Sequence, residues 1–95
     1  MKRYQAIIIF VPNVTEEAID NTIERLQKIA NITRVDKHGV KKMVYTAIQK
    51  STKIKFKSGY YVFCNMPSDD EQLKKIEKEL DNDTNIVKCE IVRTE

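Results

Sequence analysis

The residues best placed to do chemistry lie together in residues 38–66, HGVKKMVYTAIQKSTKIKFKSGYYVFCNM. Lys41, Lys42, Lys50, Lys53, Lys55 and Lys57 fall here, and residues 41–68 contain no acidic side chain. Tyr45, Tyr60 and Tyr61 sit among or beside those lysines. Ammonium groups of one sign, with no carboxylate to neutralise them, suit an extended anion, and RNA is the commonest large one. Tyrosines beside them add faces on which unpaired bases stack, so charge and stacking would work together.

Other chemistries lack their residues. No Ser-His-Asp arrangement and no cluster of metal ligands is visible, so no catalytic residue, metal or cofactor is assigned. Lone His38, two residues from Asp36 in a turn-like stretch, reads as a surface side chain. A small phosphatase needs a glycine-rich anion cradle with an arginine, and Pro12-Asn13-Val14-Thr15 has no glycine. A metal-transfer domain needs paired cysteines in that first loop. Cys64 and Cys89 instead fall inside apolar strand patterns and read as reduced packing residues. The chain is therefore not expected to be an enzyme.

Ninety-five residues with a net charge of +3 suit one domain, residues 1–95, with a small core. No apolar run approaches the ~20 residues of a membrane helix. The opening MKRYQAIIIFVP has a basic head, but its apolar part is too short for a secretory signal and an acidic helix follows. It reads as a strand, and the protein as cytoplasmic.

The elements that must position the lysines follow from periodicity. Residues 2–11 form a central strand with Tyr4, Ala6, Ile8 and Phe10 facing the core, and Gln5, Ile7, Ile9 and Val11 on the opposite, partly apolar face. Thr15 caps a first helix whose stripe is Ile19, Ile23, Leu26 and Ala30, supported by Thr22 and Ile29, ending near Asn31. A second strand starts at residues 33–35 and runs through Gly39, where a glycine within a strand pattern predicts a bulge. Two strand-like runs, 40–48 and 59–66, then flank a tip at 49–58. The alternation of Lys53, Lys55 and Lys57 with Ile54 and Phe56 is compatible with strands extending outward and with a loop. Ser68, with Glu71 three residues on, predicts the cap of a second helix with Leu73, Ile76 and Leu80 inward and Lys74, Lys75, Lys78 and Glu79 in solvent. Residues 81–85 form a polar turn. Residues 86–93 are the last strand, with Val87, Cys89 and Ile91 on one face and Lys88 and Glu90 on the other.

The order strand, helix, strand, strand, helix, strand, with right-handed crossovers, predicts an α+β, ferredoxin-like βαββαβ sandwich. Two helices cover one face of a four-stranded antiparallel sheet. The first and third strands are central, and the second and fourth are edges. Ile7 and Ile9 on the uncovered face call for cover, either from hairpin side chains or from a docked protein.

The chain also resembles the ribosomal protein six family of the bacterial small subunit over nearly its whole length. The residues that carry this are Met1-Lys2-Arg3-Tyr4 with the strand ending at Pro12, Gly39-Val40-Lys41-Lys42-Met43-Val44-Tyr45, Gly59-Tyr60-Tyr61-Val62-Phe63, and the closing Ile86-Val87-Lys88-Cys89-Glu90-Ile91-Val92-Arg93. The resemblance implies a structural role, binding small-subunit ribosomal RNA together with ribosomal protein eighteen, which docks on the sheet side. It carries over Lys2, Arg3, Tyr4, Lys41, Lys42, Tyr45, Tyr60 and Arg93 as RNA contacts. To these the charge pattern adds Lys50, Lys53, Lys55 and Lys57. In isolation, the open apolar face would support a homodimer. Met43-Val44 where the family has Leu-Ala, Thr46-Ala47 where Pro-Ile is common, and the long lysine-rich hairpin are departures suited to a divergent member. The alternative is a ferredoxin-like regulatory or oligomerising module with no ribosomal role.

Overall fold

The structure is a computed structural model that describes residues 2–49 and 52–94. Strand β1 (Lys2–Phe10), helix α1 (Glu16–Gln27), strands β2 (Arg34–Ile48) and β3 (Lys55–Ser68), helix α2 (Asp70–Asp81) and strand β4 (Ile86–Arg93) follow one another. The strands form one antiparallel sheet in the order β2-β3-β1-β4. The central strands are thus β1 and β3, as the crossover argument requires, and the fold is the expected ferredoxin-like one.

Alternation along β1 puts Ala6, Ile8 and Phe10 against Val62, Cys64 and Met66 of β3 and against the stripes of both helices: Ile19, Ile23 and Leu26 of α1, Ile76 and Leu80 of α2. Tyr4 packs on the rim of this core. Thr15 caps α1, its side chain accepting from the Ala18 amide at 3.1 Å. The helix stops at Gln27, short of Asn31, yet a turn in which the Ile29 and Ala30 amides both donate to the Leu26 carbonyl still carries Ala30 into the core.

The cap of α2 is Asp69, one residue beyond the expected Ser68. Ser68 pairs with Lys2 as the last residue of β3, and its side chain is fully buried. Asp69 is the first residue released from the sheet. Its carboxylate accepts from the Gln72 amide at 2.8 Å while the Gln72 side chain accepts from the Asp69 amide at 3.0 Å. This closes the box on Gln72 rather than on Glu71. Leu73 is half-buried, and Glu79 is drawn from solvent into an ion pair with Arg25 at 2.9 Å. In the polar turn, Asp83 accepts from Thr22 and pairs with Arg25, tying the end of α2 to α1.

The expected faces of β4 are shifted at its start. The register with β1 slips between Ile9 and Phe10, so Ile86 stands opposite Phe10 and joins the core, while Cys89 and Ile91 keep the expected side. Val87 falls at the slip.

Cys64 sits within the core, and burial, with Asp36 nearby, pushes its thiol from 9.0 up to about 11. The folded state therefore keeps this proton over a range where the unfolded chain loses it. Its contribution is fully present below about pH 9 and is lost as pH rises towards 11. Alkaline urea titrations should show stability falling through that window, and a Cys64→Ala variant should remove this part of the slope. At neutral pH a thiol reagent should label Cys64 only after unfolding.

Candidate nucleic-acid interface

Register divides the side chains of the sheet between two faces. On the helix side, Lys37 lies opposite Val62 and reaches Glu16 at 2.7 Å and Asp20 at 2.8 Å. These carboxylates, Asp20 first, hold its ammonium above the ordinary lysine value. Tyr60 lies opposite Phe10, and its hydroxyl donates to Glu16 at 3.3 Å. Burial, and then Glu16, raise the Tyr60 hydroxyl above its usual pKa.

The opposite face is open and is built in cross-strand rows. One row runs Arg34, Asn65, Gln5, Val92, and the next Asp36, Phe63, Ile7, Glu90. A third runs Gly39, Tyr61, Ile9, Lys88. Gly39 has φ +80°, and the register shift beside it leaves His38 unpaired. This is the bulge that the glycine predicts. The His38 ring packs on Phe63 with centroids 4.5 Å apart. Lys41 Nζ lies 3.2 Å from His38 Nδ1 and 5.9 Å from the centre of the Tyr61 ring. The centre of this face is thus apolar and aromatic, with Lys41 on its border. Ile9 is 8% exposed, lying against Gly59, and the Met43 side chain comes near the same spot. Hairpin side chains therefore supply part of the cover, while Ile7 remains half-buried.

Beyond Phe10, β2 and β3 continue as an arm. The strands extend outward: Ala47 pairs with Phe56 and Ile48 with Lys55. Between the Lys42–Ser58 and Ala47–Phe56 pairs, residues 43–46 of β2 face Lys57 alone. The end of β2 is anchored at Gln49. Gln49 is buried, and its side-chain amide donates to the carbonyls of Thr84 at 2.6 Å and Ile86 at 3.2 Å. Thr52 donates to the Gln49 side-chain oxygen at 3.0 Å. A groove of about 370 Å³ lies between Ala47 and Ile48 of the arm and Leu80, Asp83, Ile86 and Val87. No local pattern in the sequence signals the Gln49 anchor, because its partners lie about 35 positions further along the chain.

The proposed contact residues occupy two places. Lys41, Lys42, Tyr45, Lys53, Lys55 and Lys57 are exposed along the arm, and Lys53 adopts a left-handed φ of 62°. Among the described residues, no carboxylate lies within ion-pair distance of these lysines. Lys50 lies outside the described residues. Lys2, Arg3 and Arg93 are exposed at the other end of the sheet, about 30 Å away at 3.3 Å per strand residue. Lys2 there borders Asp69 and Asp70. Tyr4 and Tyr60 turn to the helix side, whereas Tyr61 is on the open face. Among the described residues, no group of three His, Cys, Asp or Glu side chains could hold a metal ion. No helix among them is long and apolar enough to cross a membrane.

The sequence profile of the family described as Ribosomal protein S6 matches residues 3–93. The chain belongs to this family. Among ribosomal protein S6 relatives, it is 26% identical to the small ribosomal subunit protein bS6 of Shouchella clausii over 100 aligned positions, covering 100% of this chain and 99% of that one. It is 27% identical to the bS6 of Clostridioides difficile, covering 97% and 98%. The crystal structure of the 30S ribosomal protein S6 of Thermotoga maritima superposes with a TM-score of 0.77 at 27% identity, covering 98% of this chain and 87% of that one. Ribosomal protein S6 is a structural protein family, and the chain is not an enzyme. Identities near 26% agree with the departures noted in the hairpin.

Proposed function

We propose that this chain is a structural component of the small ribosomal subunit that binds its ribosomal RNA, with ribosomal protein eighteen docked on the open sheet face. The observation that carries this reading is the arm, a segment free of acids whose exposed lysines have no carboxylate partner among the described residues. Family membership and the names of the relatives support it. Lysines along the arm neutralise phosphates, while the aromatic and apolar centre of the open face offers the protein partner a dry surface. Lys2, Arg3 and Arg93 provide a second cationic contact at the far end. Residues 1–95 act as one domain, in the cytoplasm, where bacterial ribosomes work.

Sedimentation of native extract tests this. The protein should comigrate with the small subunit at moderate salt and leave it as salt rises. Contacts from about four basic side chains predict a log–log salt slope of roughly −3 to −4 for RNA binding. Replacing Lys41 and Lys42 together by glutamate should flatten that slope by about 1.4–1.8, at about 0.7–0.9 per lost phosphate contact, and deplete the protein from subunits without lowering its melting temperature. A protein found only in light fractions, with no salt-dependent RNA binding, would return the chain to the regulatory or oligomerising reading.

A further inference from the structure

The segment of residues 43–46 is the most irregular part of the sheet, four residues standing against one. It holds the two most exposed large apolar side chains among the described residues, Val44 at 89% and Tyr45 at 84%. Lys41 and Lys42 precede it, Lys57 lies across from it and Lys55 is near, with no acidic residue between 41 and 68. The Gln49 amide pins the arm to the start of β4 just beyond it, so the protrusion sits on an anchored support.

Its occupant has to satisfy two conditions together. An exposed tyrosine and valine gain most from a flat apolar surface, and the surrounding ammonium groups require a dense negative charge beside it. A second copy of this arm would set lysines against lysines, and an apolar protein surface would leave them unmatched. A paired duplex presents phosphates but hides its base faces. An unpaired nucleotide presents both. We propose that the 43–46 bulge is a base-binding site of the RNA surface: Tyr45 stacks on the face of one unpaired base, Val44 fills the space at its edge, and the lysines hold the flanking phosphates. This rests on the reading of the arm as RNA-binding and adds to it a ligand class, a single unstacked nucleotide, and the residues that take it.

The chain has no tryptophan, so Tyr45→Trp installs a single tryptophan at the site, which can be excited apart from the remaining tyrosines. Purified small-subunit ribosomal RNA should quench it, and a fully paired RNA duplex of equal length should not. Tyr45→Ala should weaken binding of the same RNA by about 5- to 150-fold, the range for one base–aromatic stack. Its salt slope should stay that of the wild type, since no phosphate contact is lost. Tyr45→Phe should bind like the wild type. Because Tyr45 is exposed, the melting temperature of each variant should not move. Wild-type-like affinity of Tyr45→Ala, with an unquenched tryptophan, would overturn the stacking site while leaving a steep salt slope, and with it RNA binding, intact. A fluorescence change produced by ribosomal protein eighteen alone, and not by RNA, would overturn it in favour of a protein contact. Absence of any salt-dependent binding by the wild type would remove the RNA reading and this site together.

Discussion

Ile8→Ala is expected to lower unfolding stability by about 2–5 kcal/mol, the usual cost of truncating a buried branched side chain. Ile8 is fully buried and stands in the centre of the sheet, paired with Val62 on one side and Cys89 on the other. Its side chain belongs to the core that both helices close. Truncation removes three carbons from a site walled by strand and helix alike, where little collapse can fill the space. Urea unfolding should show a lower midpoint at unchanged slope. The neighbouring Ile7→Ala is the control, because Ile7 is half-buried on the open face and should cost clearly less. Equal costs at the two positions would mean that the faces of β1 are not separated as described.

Gly59→Val is expected to be comparably damaging, for the opposite reason. A Cβ at this position would lie 2.4 Å from Ile9 Cγ2 and 2.9 Å from the Phe10 carbonyl oxygen. The isoleucine methyl can rotate away, but the carbonyl is held at the end of β1, so strand and arm must separate instead. Even the single methyl of Gly59→Ala should cost about 1–3 kcal/mol through overpacking, and valine, with two further methyls, more. Gly59 also pairs with Lys41, two residues before the 43–46 bulge, so the displacement reaches the lysines of the arm. Thermal unfolding should therefore show a lower melting temperature together with weaker RNA binding. Pairing Gly59→Ala with Ile9→Ala removes the methyl in the way. The double variant should be more stable than the two single effects added together. Strict additivity would place the strain on the Phe10 carbonyl alone.

Most of the scaffold was legible without coordinates because it is written in local periods. Two apolar stripes at helical spacing, four apolar strand patterns and the Thr15 cap depend on neighbours a few residues apart, and handed crossovers then leave one sensible strand order. The bulge at Gly39 was legible for the same reason, since a glycine in a strand reports a backbone conformation. The family motifs and the acid-free lysine segment also survive as a string, because they are matters of residue type and order.

What the string could not settle are outcomes of competition between distant partners. Ser68 and Asp69 are both good caps, and pairing of Ser68 with Lys2 at the other end of the chain decides for Asp69. Tyr60 and Tyr61 differ by one position, and the register with β1 alone sends one to Glu16 and the other to the open face. The arm became an anchored extension because Gln49 reaches the carbonyls of Thr84 and Ile86 at the entry to β4. The protrusion of Val44 and Tyr45 follows from where β2 and β3 resume pairing beyond Lys42, a long-range register that no local period encodes. Residue types and their order carry the family, the fold and the sign of the charge. Long-range pairing places each tyrosine and lysine, because a shift of one residue in a strand moves its side chain to the other face.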